Sequence, residues 1–141
     1  YQRALGDPPV YKYEFDRAVP VVPGMRVNGV EATSVDIGAN HASEIPYVFG
    51  ALASNKSITW QPEDLRLSDL MQSYWSNFAK TGNPNGDGLP VWPKFTEAGN
   101  YQVMHLDAVS QALPEMNRAR HAFWDAPTEK RKLLNPVGAG S

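Results

Sequence analysis

One segment of the chain repeats large apolar side chains with the period of an α-helix. Between Glu63 and Thr81 they recur at spacings of three and four residues, which places them along one face of a helix. Glu63 and Asp64 suit the positive amino-terminal end of the helix dipole, and Gly82 stands where a left-handed carboxyl cap is expected. The pattern predicts a helix over 63–81 with one buried stripe. The stripe consists of Leu67, Leu70, Met71, Tyr74, Trp75 and Phe78.

Two other segments alternate with the period of a β-strand. Val10 to Asp16 sets three aromatic residues against Lys12 and Glu14, which predicts a strand with one apolar and one polar face. Tyr101 to Leu106 alternates in the same way, and we interpret it as an edge-type strand. We expect His105 in that strand to be an ordinary surface or edge histidine.

Shorter helices are predicted on either side of these elements. The run from Ser43 to Phe49 is typical of a short helix or turn, and a final helix is expected from Met116 to Ala126 with His121 facing solvent. In contrast, residues 17–37 contain several Pro and Gly residues and no clear period, which predicts a long irregular loop. The side chains expected to face inward in the two helices are Ile45, Val48, Phe49, Ala119, Ala122 and Phe123.

Composition narrows the class of protein. Of the 141 residues 42% are hydrophobic and 20% are charged, as in an ordinary globular domain. A net charge of −2 without a basic cluster argues against a nucleic-acid partner. No apolar run reaches the roughly 18 residues that a membrane-spanning helix needs, and the absence of cysteine excludes disulfides within the chain.

A candidate for chemistry lies between Gly38 and Gly50. His41 is flanked by small residues, and Glu44 follows three positions later, just before an apolar run. An imidazole titrates near pH 6.5, so at neutral pH it can take a proton from a hydroxyl and return it to a leaving group. The three histidines show no paired spacing typical of metal ligands, so we expect no zinc site.

The segment Gly-Ala-x-His-x-x-Glu-Ile-x-Tyr-Val-Phe-Gly resembles the histidine segment of the type-B carboxylesterases, which include the cholinesterases. The similarity continues in Val10 to Asp16, in Leu70 to Gly86 with its Tyr-Trp-x-x-Phe-Ala-x-x-Gly-x-Pro-Asn pattern, in Trp92-Pro93, and in a closing helix that ends at Phe123-Trp124. These landmarks occur in the order of the family and cover residues 8–126. The resemblance implies an α/β fold, namely the carboxyl-terminal part of an α/β-hydrolase.

The same resemblance indicates what other parts the enzyme needs. The triad order in this fold is serine, acid, histidine, and the chain contains neither Gly-x-Ser-x-Gly nor a Gly-Gly-Gly oxyanion loop. The resemblance implies that residues 1–127 are late core strands plus helices of a single domain that is not self-sufficient. It also implies a flexible tail over 128–141. One convincing strand with long loops also cannot form a layered core alone.

For the site, the resemblance implies that His41 is the triad base and that Glu44 supports it from behind. Asp36 is excluded as the triad acid, because the family places that acid much earlier in the chain. No cofactor is expected. The implied partners are a small-molecule ester, the complementary amino-terminal polypeptide of the same enzyme, and a second copy of the chain through the helix 116–126. The absence of cysteine favours a bacterial or intracellular esterase over secreted cholinesterases.

Two further functions are compatible with the sequence alone. One is a catalytically inactive cholinesterase-like module used for binding or adhesion, since such proteins often lose triad residues. The other is a small stand-alone domain, against which the unpaired strand and the long loops argue. The retained His41 in its motif favours the esterase.

Overall fold

The computed structural model describes residues 8–125, except the side chain of Asp125. Expectations for residues 1–7 and 126–141, including the tail and the end of the last predicted helix, lie outside the described residues. The elements in chain order are β1 (Tyr13–Phe15), β2 (Arg26–Val27), β3 (Val30–Glu31), α1 (Ser34–Ile37), α2 (Ile45–Val48), a 3₁₀ helix (Leu52–Ser54), α3 (Pro62–Thr81), β4 (Gln102–Leu106), β5 (Gln111–Pro114) and α4 (Arg118–Asp125).

Strand β4 lies in the middle of a mixed three-stranded sheet. It pairs in parallel with β1, so that Tyr13 is opposite Met104, and antiparallel with β5 on its other side. The prediction of an edge-type strand over 101–106 was therefore wrong. Strand β5 is four residues long and ends in Pro114, so it lacks the length and the alternation that reveal a strand in a sequence.

The alternation of the first strand is confirmed, although β1 is shorter than the predicted segment. Tyr13 packs edge-on against Trp75 of α3 with ring centroids 5.2 Å apart, and Phe15 packs against Tyr47 of α2 at the same distance. Lys12 and Glu14 consequently point to the opposite, polar face of the sheet. The face of β1 and β4 that carries Tyr13 and Met104 thus closes on the helices, and the opposite, polar face carries charged side chains together with the buried Val103.

Helix α3 carries the core, as its periodicity predicts. Leu67, Met71 and Tyr74 are buried, and they share the core with Met104 and Leu106 of β4. The stripe is less buried toward the end of α3, where Phe78, another predicted member, is 48% exposed. None of the helices in the described part of the chain combines the length and the hydropathy that a bilayer crossing requires.

The predicted left-handed cap of α3 is confirmed at Gly82, whose φ is 74° and whose N–H donates to the Phe78 carbonyl at 2.8 Å. Replacing Gly82 with alanine should destabilise the protein by about 1 kcal/mol, because a Cβ is disfavoured in this conformation. Since no neighbouring atom lies within 4 Å of that added Cβ, the loss reports backbone strain alone. Urea unfolding would measure it. Gly82→Asn should lose less, because asparagine tolerates the left-handed region, and equal losses would contradict the strain argument.

The loop expected over 17–37 contains regular structure, so that prediction was wrong. Strands β2 and β3 form a hairpin whose turn is Asn28-Gly29, with φ values of 53° and 81°. Two consecutive left-handed residues are typical of a type I′ turn, for which Asn-Gly is the preferred sequence. Helix α1 follows, and its first turn is capped by the Asp36 carboxylate, which accepts hydrogen bonds from the Thr33 N–H and hydroxyl at 2.7 Å.

The predicted short helix after His41 is present as α2, but its buried side chain differs from the prediction. Tyr47 is fully buried, whereas Ile45 and Phe49 are 48% and 77% exposed. Val48 is partly buried against the core, as predicted. Tyr47 takes the most buried position, where its hydroxyl finds an acceptor on α3.

The final helix packs by polar contacts instead of the apolar ones expected. In α4, Ala119 and Ala122 are exposed, so their predicted burial was wrong, whereas Phe123 is partly buried. His121 is exposed as predicted. The guanidinium of Arg118 stacks on the Tyr101 ring at 4.0 Å. A cation–π contact therefore joins the start of the helix to the residue before β4.

A charged pair joins the polar face of the sheet to the segment before α4. The Lys12 ammonium donates to the buried carboxylate of Glu115, whose other oxygen accepts from the Asn117 N–H at 2.7 Å. The hydrogen bond from Lys12 holds the pKa of Glu115 below its ordinary value.

This pair should make stability depend on pH. A carboxylate whose pKa is lower in the folded than in the unfolded state stabilises the fold above its unfolded pKa, near 4.3, and loses that contribution as pH falls through the folded pKa. We expect Glu115→Gln to lower the urea midpoint at about pH 7, with a difference from wild type that shrinks toward about pH 3. A difference of equal size at both pH values would show that the charge of Glu115 contributes nothing.

Candidate active site

His41 lies in a tight turn that leads directly into α2. The Ser43 N–H and hydroxyl both donate to the Asn40 carbonyl, at 3.2 Å and 2.7 Å, and close the turn around the histidine. Ala42 has a φ of 66°, a left-handed conformation that is costly for a residue with a Cβ. Strain of this kind persists only where the surrounding structure enforces it, and it clusters at functional sites.

The imidazole of His41 is exposed and forms no hydrogen bond or ion pair with any residue between 8 and 125. Both ring nitrogens are therefore available, one as a donor and one as an acceptor. A general base needs a hydroxyl within hydrogen-bond reach and usually an acid that fixes its tautomer. The described residues bring neither to His41.

Glu44 shares the turn with His41, but no hydrogen bond joins their side chains. Its carbonyl accepts from the N–H groups of Tyr47 and Val48 at 3.0 and 3.1 Å, so its main chain starts α2. The charge of Glu44 also affects Tyr13 of β1. Burial raises the pKa of the Tyr13 hydroxyl, and the negative charge of Glu44 raises it further. The two residues assigned to the site thus lie together in sequence and in one turn, without a hydrogen bond between their side chains.

The turn is anchored through Tyr47, the buried residue of α2. The Tyr47 hydroxyl donates to Asp64 Oδ1 at 2.9 Å, and its carbonyl accepts from the Ser68 hydroxyl at 2.8 Å. Both partners belong to α3. Helix α2 is therefore fixed to α3 by two hydrogen bonds, one at each end of a single residue.

Asp64 is the centre of a buried network that sequence reasoning missed. Besides Tyr47, its fully buried carboxylate accepts from Arg17 Nε at 2.7 Å and from the Gln61 N–H at 2.8 Å. The hydrogen bond to Asp64 raises the pKa of Arg17, and burial, followed by the bond to Asp64, raises that of Tyr47. The network connects the chain after β1 to the start of α3 and to the helix after His41.

The acid and the two histidines that were left out of the predicted site have partners elsewhere in the fold. Asp36 caps α1. His105 Nδ1 lies 2.5 Å from Asp16 Oδ2 on the polar face of the sheet, and His121 Nε2 lies 3.9 Å from Glu115 Oε2 beside α4. No hydrogen bond or ion pair within residues 8–125 connects any of these groups to His41.

Comparison with known proteins places this geometry in a family. The model of the carboxylesterase family matches residues 2–124. Human cocaine esterase is 37% identical in an alignment over 131 residues that covers 91% of this chain and 22% of that protein. Rat acylcarnitine hydrolase is 35% identical in an alignment over 131 residues that covers 93% of this chain and 22% of that protein. The chain thus spans about a fifth of the length of these relatives.

Solved structures agree with the sequence comparison. A carboxylesterase from Geobacillus stearothermophilus is 29% identical and matches with a TM-score of 0.63, covering 87% of this chain and 23% of that one. A PNB esterase is 28% identical and matches with a TM-score of 0.62, covering 81% of this chain and 21% of that one. The described elements are accordingly part of an α/β-hydrolase fold. The chain belongs to the carboxylesterase family.

Proposed function

We propose that the chain supplies the catalytic histidine, His41, of a serine esterase that hydrolyses carboxylic esters without a cofactor. In this proposal the nucleophilic serine, the acid and the oxyanion hole lie on an upstream segment. The observation that carries it is the state of His41: exposed, without a partner between residues 8 and 125, and in a strained turn. An imidazole in this state is available to a hydroxyl and to an acid supplied by another segment.

The reaction follows from the acid–base chemistry of an imidazole. His41 takes the proton of the serine hydroxyl as the oxygen attacks the ester carbonyl, and it then gives that proton to the departing alkoxide. In the second half it takes a proton from water, whose oxygen attacks the acyl-enzyme, and returns the proton to the serine. Family members named for cocaine and for acylcarnitine share the ester bond as their target, so we propose carboxylic esters as the substrate class.

The surroundings of His41 suit this role. A base that works in both directions must keep its position through the cycle, and the turn continues into α2, which Tyr47 fixes to α3. We propose that Glu44 supports the site through the main chain of α2 and through its charge, and that it does not act as the triad acid.

The test combines the mass of the protein with active-site labelling. Native and denaturing mass spectrometry of the protein as isolated would show whether the chain is joined to, or held with, a larger polypeptide. A fluorophosphonate, which reacts with activated serines, should then label the upstream segment and no serine of residues 1–141. Hydrolysis of a short p-nitrophenyl ester should accompany the labelling.

Other outcomes would contradict the proposal. A folded 15.6 kDa species alone, without ester hydrolysis, would leave His41 no serine to activate. A larger polypeptide that neither reacts with the fluorophosphonate nor hydrolyses the ester would instead indicate an inactive binding module of the same family.

A further inference from the structure

We propose that Glu14, Asp16 and His105 form a binding site for a divalent transition-metal ion such as Zn²⁺. One carboxylate oxygen from each acid and one ring nitrogen of the histidine lie within 4.8 Å of one another. None of the three belongs to the His41 turn, so the site is additional to the proposed esterase chemistry and independent of it.

Strand pairing brings the three side chains together. Glu14 is the direct partner of His105 in the parallel ladder of β1 and β4, and Asp16, two residues further, points to the same face as Glu14. The Asp16 N–H donates to the Leu106 carbonyl at 3.0 Å, which continues the pairing just beyond β1. The sheet fixes the three main-chain positions, and the proposal requires the side chains to rotate until each donor atom lies at the roughly 2.0–2.2 Å of a zinc–ligand bond.

The charge of the cluster favours a cation. The nearest basic residues in sequence are engaged elsewhere: Lys12 binds Glu115, and Arg17 binds Asp64. Glu14 forms no hydrogen bond or ion pair with any residue in the described range 8–125. Asp16 and His105 are hydrogen-bonded to each other at 2.5 Å, whereas the Glu14 carboxylate has no such partner in that range. A divalent ion would neutralise both acids.

Within residues 8–125 the cluster is accessible to solvent. It lies on the polar face of the sheet, where the side chains of Asp16 and His105 are 43% and 22% exposed. It also lies toward the carboxyl ends of two parallel strands, the edge at which open α/β sheets bind their ligands. An ion could enter from solvent and keep water in its remaining coordination positions.

The donor set selects the class of metal. Imidazole suits Zn²⁺, Cu²⁺ and Ni²⁺ better than Mg²⁺ or Ca²⁺, which prefer oxygen ligands alone. Two carboxylates and one imidazole therefore indicate a transition metal. Three protein ligands are one fewer than in a closed structural zinc site, so water is expected to complete the coordination. We accordingly use Zn²⁺ as the probe and Mg²⁺ as the comparison.

The test is a calorimetric titration of the protein as isolated, after treatment with a chelator. We expect one Zn²⁺ per chain and no saturable heat with Mg²⁺ at equal concentration. Glu14→Gln and His105→Gln should each weaken Zn²⁺ binding by at least about 10-fold. His121→Gln is the matched control, since it removes an exposed histidine that also lies near a carboxylate, and its affinity should equal that of wild type.

A second measurement separates loss of the site from loss of the fold. Zn²⁺ that binds the folded chain should raise the urea midpoint of wild type and of His121→Gln equally, and raise that of Glu14→Gln by less at the same Zn²⁺ concentration. Wild-type affinity in both Glu14→Gln and His105→Gln would overturn the proposal, as would the absence of a one-to-one isotherm. In that case Asp16 and His105 are an ion pair only. Neither result bears on ester hydrolysis, so failure here is distinguishable from failure of the proposed function.

Discussion

Under the function proposed above, replacing His41 with alanine is expected to lower the turnover number for ester hydrolysis by about 10⁶-fold, because members of a catalytic triad act as one unit. The fold should be nearly unaffected, with a change in the free energy of unfolding within about 0.5 kcal/mol. The reason is that the side chain is exposed and has no partner between residues 8 and 125. The measurement is hydrolysis of a short p-nitrophenyl ester by the complete esterase, alongside urea unfolding of the same preparation.

The control for this experiment is His121→Ala, which removes a second exposed histidine outside the turn and should retain full turnover. If His41→Ala keeps more than about a tenth of wild-type activity, general-base catalysis by this residue, worth at least about 10²-fold, is excluded. If activity and stability fall together, the loss arises from the turn rather than from proton transfer.

The sequence predicted those parts of the fold whose patterns repeat over several turns or residues. Helix α3 has five turns in which to show its stripe, and its Gly82 cap is a local signal. The buried residue of α2 was missed because a single turn carries no period, and Tyr47 faces inward for a hydrogen bond rather than for hydrophobicity alone. The two alanines of α4 were misplaced for a related reason, since that helix packs by charge and cation–π contacts.

The candidate site also has a part that the sequence predicts and a part that it does not. His41 is recognisable because its neighbours form a contiguous motif. In contrast, the bonds from Asp64 to Tyr47 and to Arg17 join residues 17 and 47 positions apart, and the contact of His105 with Asp16 spans 89 positions. A single sequence contains no spacing rule for such pairs. Asp64 was interpreted only as a charge suited to the helix dipole, although its burial makes it the acceptor for three donors.

Asp64→Asn is the substitution with the largest expected effect on stability, a loss of about 3–5 kcal/mol in the free energy of unfolding. It removes the negative charge that Arg17 pairs with in the interior. It also turns an amide donor toward groups that themselves donate hydrogen bonds. Urea unfolding of the wild-type and variant chains measures the difference, and circular dichroism would show whether the variant still folds.

Glu63→Gln is the matched control, because this acid is the preceding residue in the first turn of α3 and pairs with Arg66 at 2.7 Å in solvent. Water and salt screen an exposed pair, so its removal should leave the urea midpoint unchanged. If both variants lose the same free energy of unfolding, the loss arises from removing a negative charge near the helix terminus and not from the buried network. A large loss in Asp64→Asn alone would instead establish that the anchor beneath the His41 turn depends on this carboxylate.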